Sequence, residues 1–380
     1  MHQKIYTKNI ILILAASFFY MSSSMLVTPL ITGFAGSIGA SAAVMGLIGG
    51  LMNLCSLICR PIAGNLADKI SKYKLTFAGT VFMITACLGY VAASNEVIIM
   101  IARLVNGVGF ACCSVCMTTW MSDMLPKEKI GSGMGLYGTM NALGMATAPA
   151  IGVTIYQTFG YRVAFVIATG FAIATAVVIQ FVTDRGEPVK SSERKLELVE
   201  IRVLPIAFII MLFAIPYCAT QSFLVSYVET RQLPVSVSLF FPAYALVLLI
   251  LRLCLKDWFD RLPFRRFLGI SCVSAFLGIF FLAEMKSNLL MFVAAAFIAG
   301  GYGIMCSVCQ STAILLAGRE KRGLANSTYY IGMDLGMTLG PVIGGFLFGH
   351  LPIELFYPVL LLTVPLVVVV YAVAGRKIRI

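Results

Sequence analysis

The sequence predicts an all-α membrane protein of twelve transmembrane helices arranged as two six-helix bundles. Three observations lead there. The chain is 60% hydrophobic and only 12% charged over 380 residues, with a mean hydropathy of +0.95, whereas a soluble domain carries about a quarter charged residues. It divides into twelve mostly apolar stretches near the length of about 20 residues that crosses a hydrocarbon core of about 30 Å. Finally, Arg60, Asp68, Lys69 and Lys74 recur 192 residues later as Arg252, Asp260, Arg261 and Arg266. Gly144, Pro149 and Gly152 recur at the same offset as Gly336, Pro341 and Gly344. Duplication in such an apolar chain points to repeats with a working site where they meet.

The spans are expected near 9–33, 42–66, 74–94, 97–122, 130–158, 161–183, 203–227, 234–255, 267–284, 288–317, 323–349 and 353–375. Their connections alternate in charge. Of 28 Lys and Arg, 22 fall on one side, at Lys4, Lys8, 69–74, 127–129, 185–202, 256–266, 319–322 and 376–379. Arg162, Arg231 and Lys286 fall on the other. The rich side is predicted to be cytoplasmic, with both termini on it, in an integral membrane protein of the bacterial inner membrane. The net charge of +12 therefore reports topology and not nucleic-acid binding, for which nothing else speaks. Lys4 and Lys8 precede an apolar run too long for a signal peptide, so the first helix is expected to stay. The one long polar connection, 184–202, separates an N-terminal bundle (1–183) from a C-terminal bundle (203–380). Eleven cysteines spread mainly through the spans suggest no disulfide framework.

At the cytoplasmic end of span 2, the run Arg60-Pro61-Ile62-Ala63-Gly64-Asn65-Leu66-Ala67-Asp68-Lys69 is followed by Ser71 and Lys74. An anion at a helix end, such as Asp68, can sit against the positive N-terminus of a neighbouring helix and accept charge-assisted hydrogen bonds. Otherwise Asp68 and its lysines only anchor the loop in the cytoplasm. The run resembles the loop signature of the major facilitator superfamily, Gly-x-Leu-x-Asp-Arg-x-Gly-Arg-Arg. Lys69 stands for the first Arg and Ser71 for the second Gly. The duplicate around Asp260-Arg261 keeps the acid-base pair and loses the first Gly. The resemblance implies a latch between halves that involves Gly64, Asp68, Lys69, Arg252, Asp260 and Arg261.

Arg103-Leu104-Val105-Asn106-Gly107-Val108-Gly109 in span 4 is similar to the same family's Arg-x-x-x-Gly-x-Gly segment. Arg103 is the one Lys or Arg expected well inside a span, about 10 Å from Glu96 at about 1.5 Å per residue. A guanidinium there needs water, a carboxylate or backbone carbonyls, so it either anchors carbonyls or takes part in proton coupling or substrate contact. Small residues four apart with a proline form bendable, close-packed seams. They occur at Gly144, Pro149 and Gly152 in span 5 and at Gly336, Gly340, Pro341 and Gly344 in span 11. These segments resemble a motif of the superfamily's antiporter branches, with Ala148 and Val153 where the full pattern has Gly.

Asp334 is the only carboxylate expected near the bilayer centre, about 18 Å past Arg322 along the helix. It is a candidate proton carrier, with Arg103 as its partner in proton coupling, or else a protonated acid bonded to a carbonyl freed near Pro341. Cys113-Ser114-Val115-Cys116 and Cys306-Ser307-Val308-Cys309 repeat one tetrapeptide at an offset of 193. Small packing residues explain them better than a metal site, so neither metal nor cofactor is expected. Tyr20, Asn53, Asn141, Tyr217, Gln221, Tyr244, Gln310 and Tyr330 are candidate cavity-lining residues for an amphipathic substrate, or ordinary interhelical contacts.

The resemblance spans the whole chain and implies two bundles rocking about a midplane site. The expected function is proton-coupled efflux of small amphipathic molecules by a monomer in the lipid bilayer, with no enzymatic activity. Proton-coupled uptake of a nutrient is the alternative, and uptake of a fixed anion would call for more buried positive charge than Arg103 alone. An integral membrane enzyme would need clustered His, Asp or Glu near a membrane face, and the sequence shows no such cluster. A receptor that moves no solute is the remaining alternative.

Overall fold

The computed structural model describes residues 7–40, 42–188, 197–255 and 257–375. Lys4, residues 189–196 of the linker, Lys256 and the basic tail 376–379 lie outside them. Among the described residues the helical rods follow the twelve expected spans. In order they are α1 (Lys8–Val27), α2 (Ala42–Lys69), α3 (Lys72–Ala92), α4 (Glu96–Met124), α5 (Ile130–Phe159) and α6 (Tyr161–Gln180), then α7 (Leu204–Thr230) and α8 (Phe240–Cys254). The last four are α9 (Phe264–Ala283), α10 (Asn288–Ala317), α11 (Arg322–His350) and α12 (Ile353–Ala374). Short helices Ile31–Ser37 and Trp258–Arg261 sit in connections, and α12 relaxes between Leu360 and Thr363. Ten of these helices are long and apolar enough to cross a membrane by themselves. The outward faces carry Ile58, Leu289 and Val373, all largely exposed, as surface bordering lipid must.

The chain forms two compact units. One comprises Met1–Pro126, Tyr137–Leu198 and Arg319–Ser327, and the other Lys127–Leu136, Val199–Gly318 and Thr328–Ile380. In the first, α1 packs on α6, α2 on α4, and α3 on both α4 and α6. In the second, α7 packs on α12, α8 on α10, and α9 on both α10 and α12. The pairing is the same with helix numbers raised by six, so the sequence duplication is a duplication of packing.

Small residues set the closest approaches. A Cβ on Gly144 would stand 3.2 Å from Met21, and one on Gly152 2.9 Å from the Leu26 carbonyl oxygen, so this seam of α5 lies directly on α1. In the second unit Gly336 faces Ala214 and Met211, Gly340 faces Ile215 and Cys218, and Gly344 faces Phe223, which lays α11 on α7. Pro149 and Pro341 lie within these helices. Each seam thus unites close backbone contact with one missing backbone donor. Matching caps mark the duplicates too: Asn95 accepts from Ile98 N–H at 3.1 Å and Ser287 from Leu290 N–H at 3.4 Å. Such a cap contributes about 1 kcal/mol.

One element departs from the repeat. α10 is α-helical over Asn288–Ile298, forms a π-turn at Ala299–Gly303, and resumes as α-helix at Ile304–Ala317. A π-turn accommodates one extra residue within a helix. The caps before it, Asn95 and Ser287, are offset by 192, whereas the tetrapeptides after it are offset by 193. The shorter link at Gly318, where Leu125-Pro126 stand in the first half, returns the offset to 192 by Lys127 and Arg319.

Candidate transport site and helix-end contacts

In the first unit the Asp68 carboxylate lies on the N-terminus of α11. Oδ1 accepts from Gly323 N–H at 2.7 Å and Oδ2 from Leu324 N–H at 3.0 Å. The approach needs glycine on both sides. A Cβ on Gly64 would sit 2.6 Å from Ser327 Cβ, and one on Gly323 2.5 Å from the Gly64 carbonyl oxygen. Around this contact, Arg322 reaches Asp123 at 3.1 Å and the Ser122 carbonyl, and Lys72 reaches Asp123 at 3.4 Å. The linker closes the cluster. Glu197 donates its N–H to Asn65 Oδ1 at 3.1 Å, and its carboxylate pairs with Lys321 at 2.6 Å.

The second unit repeats the arrangement. Asp260 Oδ1 accepts from Ser132 N–H at 2.9 Å, in the first turn of α5, and Oδ2 lies 3.5 Å from Lys129 Nζ. A Cβ on Gly131 would run into the Phe259 carbonyl. Each aspartate therefore meets the partial positive charge of a helix N-terminus through backbone donors. Lys69 and Arg261 lie exposed beside the two aspartates. The acids stand out in the sequence, whereas the glycines that receive them, Gly323 and Gly131, do not. The signal was available, because Glu128-Lys129-Ile130-Gly131 and Glu320-Lys321-Arg322-Gly323 stand 192 apart.

Arg103 is fully buried, and its partners are in α2. Nε donates to the Ile48 carbonyl at 3.0 Å, Nη2 to the Gly49 carbonyl at 2.8 Å, and Nη1 lies 3.6 Å from Met52 sulfur. These contacts bolt α4 to α2, the carbonyl-anchor arrangement left open from the sequence. Arg103 is not alone in depth. Arg60 in α2 and Arg252 in the last turn of α8 are also buried, at 2% and 7% exposed. Asp334 lies half-buried in the middle of α11, between Gly332 and Gly336 of the seam.

The candidate cavity residues fall into two clusters and two outliers. In the first unit Asn141 Oδ1 accepts from Ser17 Oγ at 2.6 Å, and the hydroxyls of Tyr20 and Tyr137 lie 3.5 Å apart. In the second unit the Tyr217 ring stacks on Tyr302 at 4.4 Å and meets Tyr244 at 5.0 Å. Gln310 donates to the Tyr330 hydroxyl at 3.0 Å. Asn53 and Gln221 are exposed on their helices. Tyr137, Tyr302 and Tyr329 complete these clusters and were not singled out from the sequence, where a lone tyrosine in an apolar span carries no distinguishing pattern. The tetrapeptide thiols in α4 serve packing: Cys116 lies 3.2 Å from the Lys72 carbonyl and Cys113 3.7 Å from that of Thr76.

Comparison with known proteins agrees with this architecture. The chain is 23% identical to an uncharacterized MFS-type transporter of Methanocaldococcus jannaschii, over 92% of this chain and 94% of that protein. It is 24% identical to a multi-drug resistance efflux pump PmrA homolog of Lactococcus lactis, over 90% and 89% of the two chains. It is 22% identical to the quinolone resistance protein NorA of Staphylococcus aureus, over 45% and 44%. The fold superposes on the crystal structure of FucP in the outward conformation with a TM-score of 0.77, at 15% identity, covering 98% of this chain and 99% of that one. The Major Facilitator Superfamily model matches residues 12–313 and 258–378, and the protein, a multi-pass integral membrane transporter by family and fold, belongs to that superfamily.

Proposed function

We propose that this transporter exports small amphipathic organic molecules in exchange for protons, by alternating access of its halves 1–183 and 203–380 joined by the linker 184–202. The observation that carries the reading is Asp334. Among the described residues it is the one acidic side chain in the middle of a long membrane helix, within a glycine seam where α11 meets α7. A carboxylate at that depth is costly unless it serves an ion pathway. The seam lets its helix shift without a bulky side chain in the way. Likeness to a protein described as a multi-drug resistance efflux pump homolog supports the direction of transport.

In this reading Asp334 carries the proton, and Asp68 and Asp260 latch the cytoplasmic helix ends by contacts that form and break. Arg103 holds α4 and α2 as the rigid body against which the proton-carrying helix works. The protein acts as a monomer in the bacterial inner membrane with both termini cytoplasmic.

The test is proton movement in proteoliposomes carrying an interior pH dye, with a panel of lipophilic cations, organic acids and small metabolites, comparing the protein with Asp334→Asn. Solute-dependent proton flux that disappears in the variant is the expected result. Equal flux in both would remove Asp334 from the coupling role, and no flux with any solute would overturn coupled transport.

A further inference from the structure

The duplicated halves differ at one buried pair. In the first unit Arg60 Nη1 donates to Ser114 Oγ at 2.9 Å, and the guanidinium lies 6.0 Å from the Phe110 ring centroid. The equivalent residues in the second unit are Arg252 and Ser307, 7% and 2% exposed, and they are not bonded to each other. The π-turn explains this. It takes up the one added residue in a widened turn and presents a new acceptor to the guanidinium. Arg252 Nη2 donates instead to the carbonyl of Gly303, the last residue of the turn, at 3.1 Å. Among the described residues Arg252 Nε, Arg252 Nη1 and Ser307 Oγ have no hydrogen-bond partner.

Gly303 lies midway along α10, 15 residues from Asn288 and 14 from Ala317, so the guanidinium, carried on the last turn of α8, reaches the middle of α10. A cation there with two idle donors is poorly compensated. Ser307 follows Gly303 by one helical turn and shares its face. Tyr244, Tyr302, Tyr329 and Cys306 lie within electrostatic range of Arg252. The ring of Tyr217 covers Tyr244 and Tyr302, and Tyr217 and Cys306 keep accessible surface.

We propose that Arg252 and Ser307 form an anion seat in the second unit that receives the carboxylate of an amphipathic aromatic acid, with its ring against Tyr217, Tyr244 and Tyr302. The assignment rests on the transporter reading and narrows its substrate class. A carboxylate would take Nε and Nη1 as a bidentate pair and the Ser307 hydroxyl as a third donor. The tyrosine faces supply apolar area with a polar edge. A lipophilic cation would meet an unneutralised guanidinium at the same depth and be rejected. Buried positive charge is thus greater than the sequence displayed, and the first half spends its share on internal contacts while the second holds donors in reserve.

The test is equilibrium binding of 2-naphthoate to the full chain in nonionic detergent, with 2-naphthylmethylammonium as the matched cation and no pH gradient. The protein is expected to bind the acid at least about tenfold tighter than the amine. Arg252→Gln should weaken the acid about tenfold or more, and Ser307→Ala severalfold. Ser114→Ala, the same change in the first half, should leave binding unaltered. Should Arg252→Gln not fold, Arg252→Lys, which keeps the charge and loses the fork, is expected to weaken the acid about tenfold or less. Preference for the amine, no binding of the acid, or equal binding of the acid in the Arg252 and Ser307 variants would each overturn the seat. Amine preference with proton flux intact would leave coupled export standing, so the two readings fail separately.

Discussion

Arg60 closes on Ser114 at 2.9 Å, whereas its duplicate Arg252 leaves Ser307 without a partner and turns to the carbonyl of a π-turn. The helix ends behave differently: Asp68 and Asp260 both accept backbone N–H groups at the start of a long helix. Duplication has thus been kept where helix ends meet and broken midway along α10. Helix-end contacts depend on short loops and glycines, which tolerate no change in register. The middle of α10 absorbs an inserted residue by widening one turn, and the contacts made there change while both ends of the helix keep theirs.

The largest expected effect falls on a feature the halves do not share. Arg103 has Ala295 at the equivalent position. Arg103→Ala would remove two hydrogen bonds from a buried charged donor and should lower stability by about 4 kcal/mol, read as a large drop in melting temperature in detergent. Ala295→Arg should disrupt packing and restore nothing. If Arg103→Ala melted like the parent, the clamp between α4 and α2 would be ornamental.

The aspartates come next. Asp68→Ala loses two charge-assisted bonds and should cost about 3 kcal/mol, and Asp260→Ala, with one backbone bond and a looser lysine, about 2 kcal/mol. The order matters as much as the size: a greater loss at Asp260 would mean the exposed Lys129 contact outweighs a backbone donor. Smaller again are Gly323→Ala and Gly131→Ala, which force backbones apart and should each cost about 1 to 2 kcal/mol. Maleimide labelling of cysteines placed at these helix ends should rise in both variants, and unchanged labelling would show that these approaches are not tight.

Much of this was legible in the sequence. Hydropathy and charge alternation placed the twelve rods, because lipid requires long apolar helices and leaves little else to choose. The Asp68 motif left open a helix-end contact or a loop anchor, and the structure places its carboxylate on backbone N–H groups at a helix start. The interior was less legible. The burial of Arg60 and Arg252 could not be read, because side-chain direction is not encoded in a hydropathy window. The Cys-Ser-Val-Cys repeat at 193 invited attention to its thiols, yet the informative residue was the serine and the informative number the additional one in the offset. Only the backbone of α10 shows where that residue went.

A double-mutant cycle measures the comparison most directly. Thermal stability in detergent would be determined for Arg60→Gln, Ser114→Ala and their combination, and in parallel for Arg252→Gln, Ser307→Ala and theirs, with the coupling energy taken from each square. The predicted coupling is about 1.5 kcal/mol in the first half, as for a hydrogen bond from a charged donor, and about zero in the second. Equal couplings would contradict the account, because they would mean that Arg252 and Ser307 are bonded and that the π-turn leaves the duplicated pair intact.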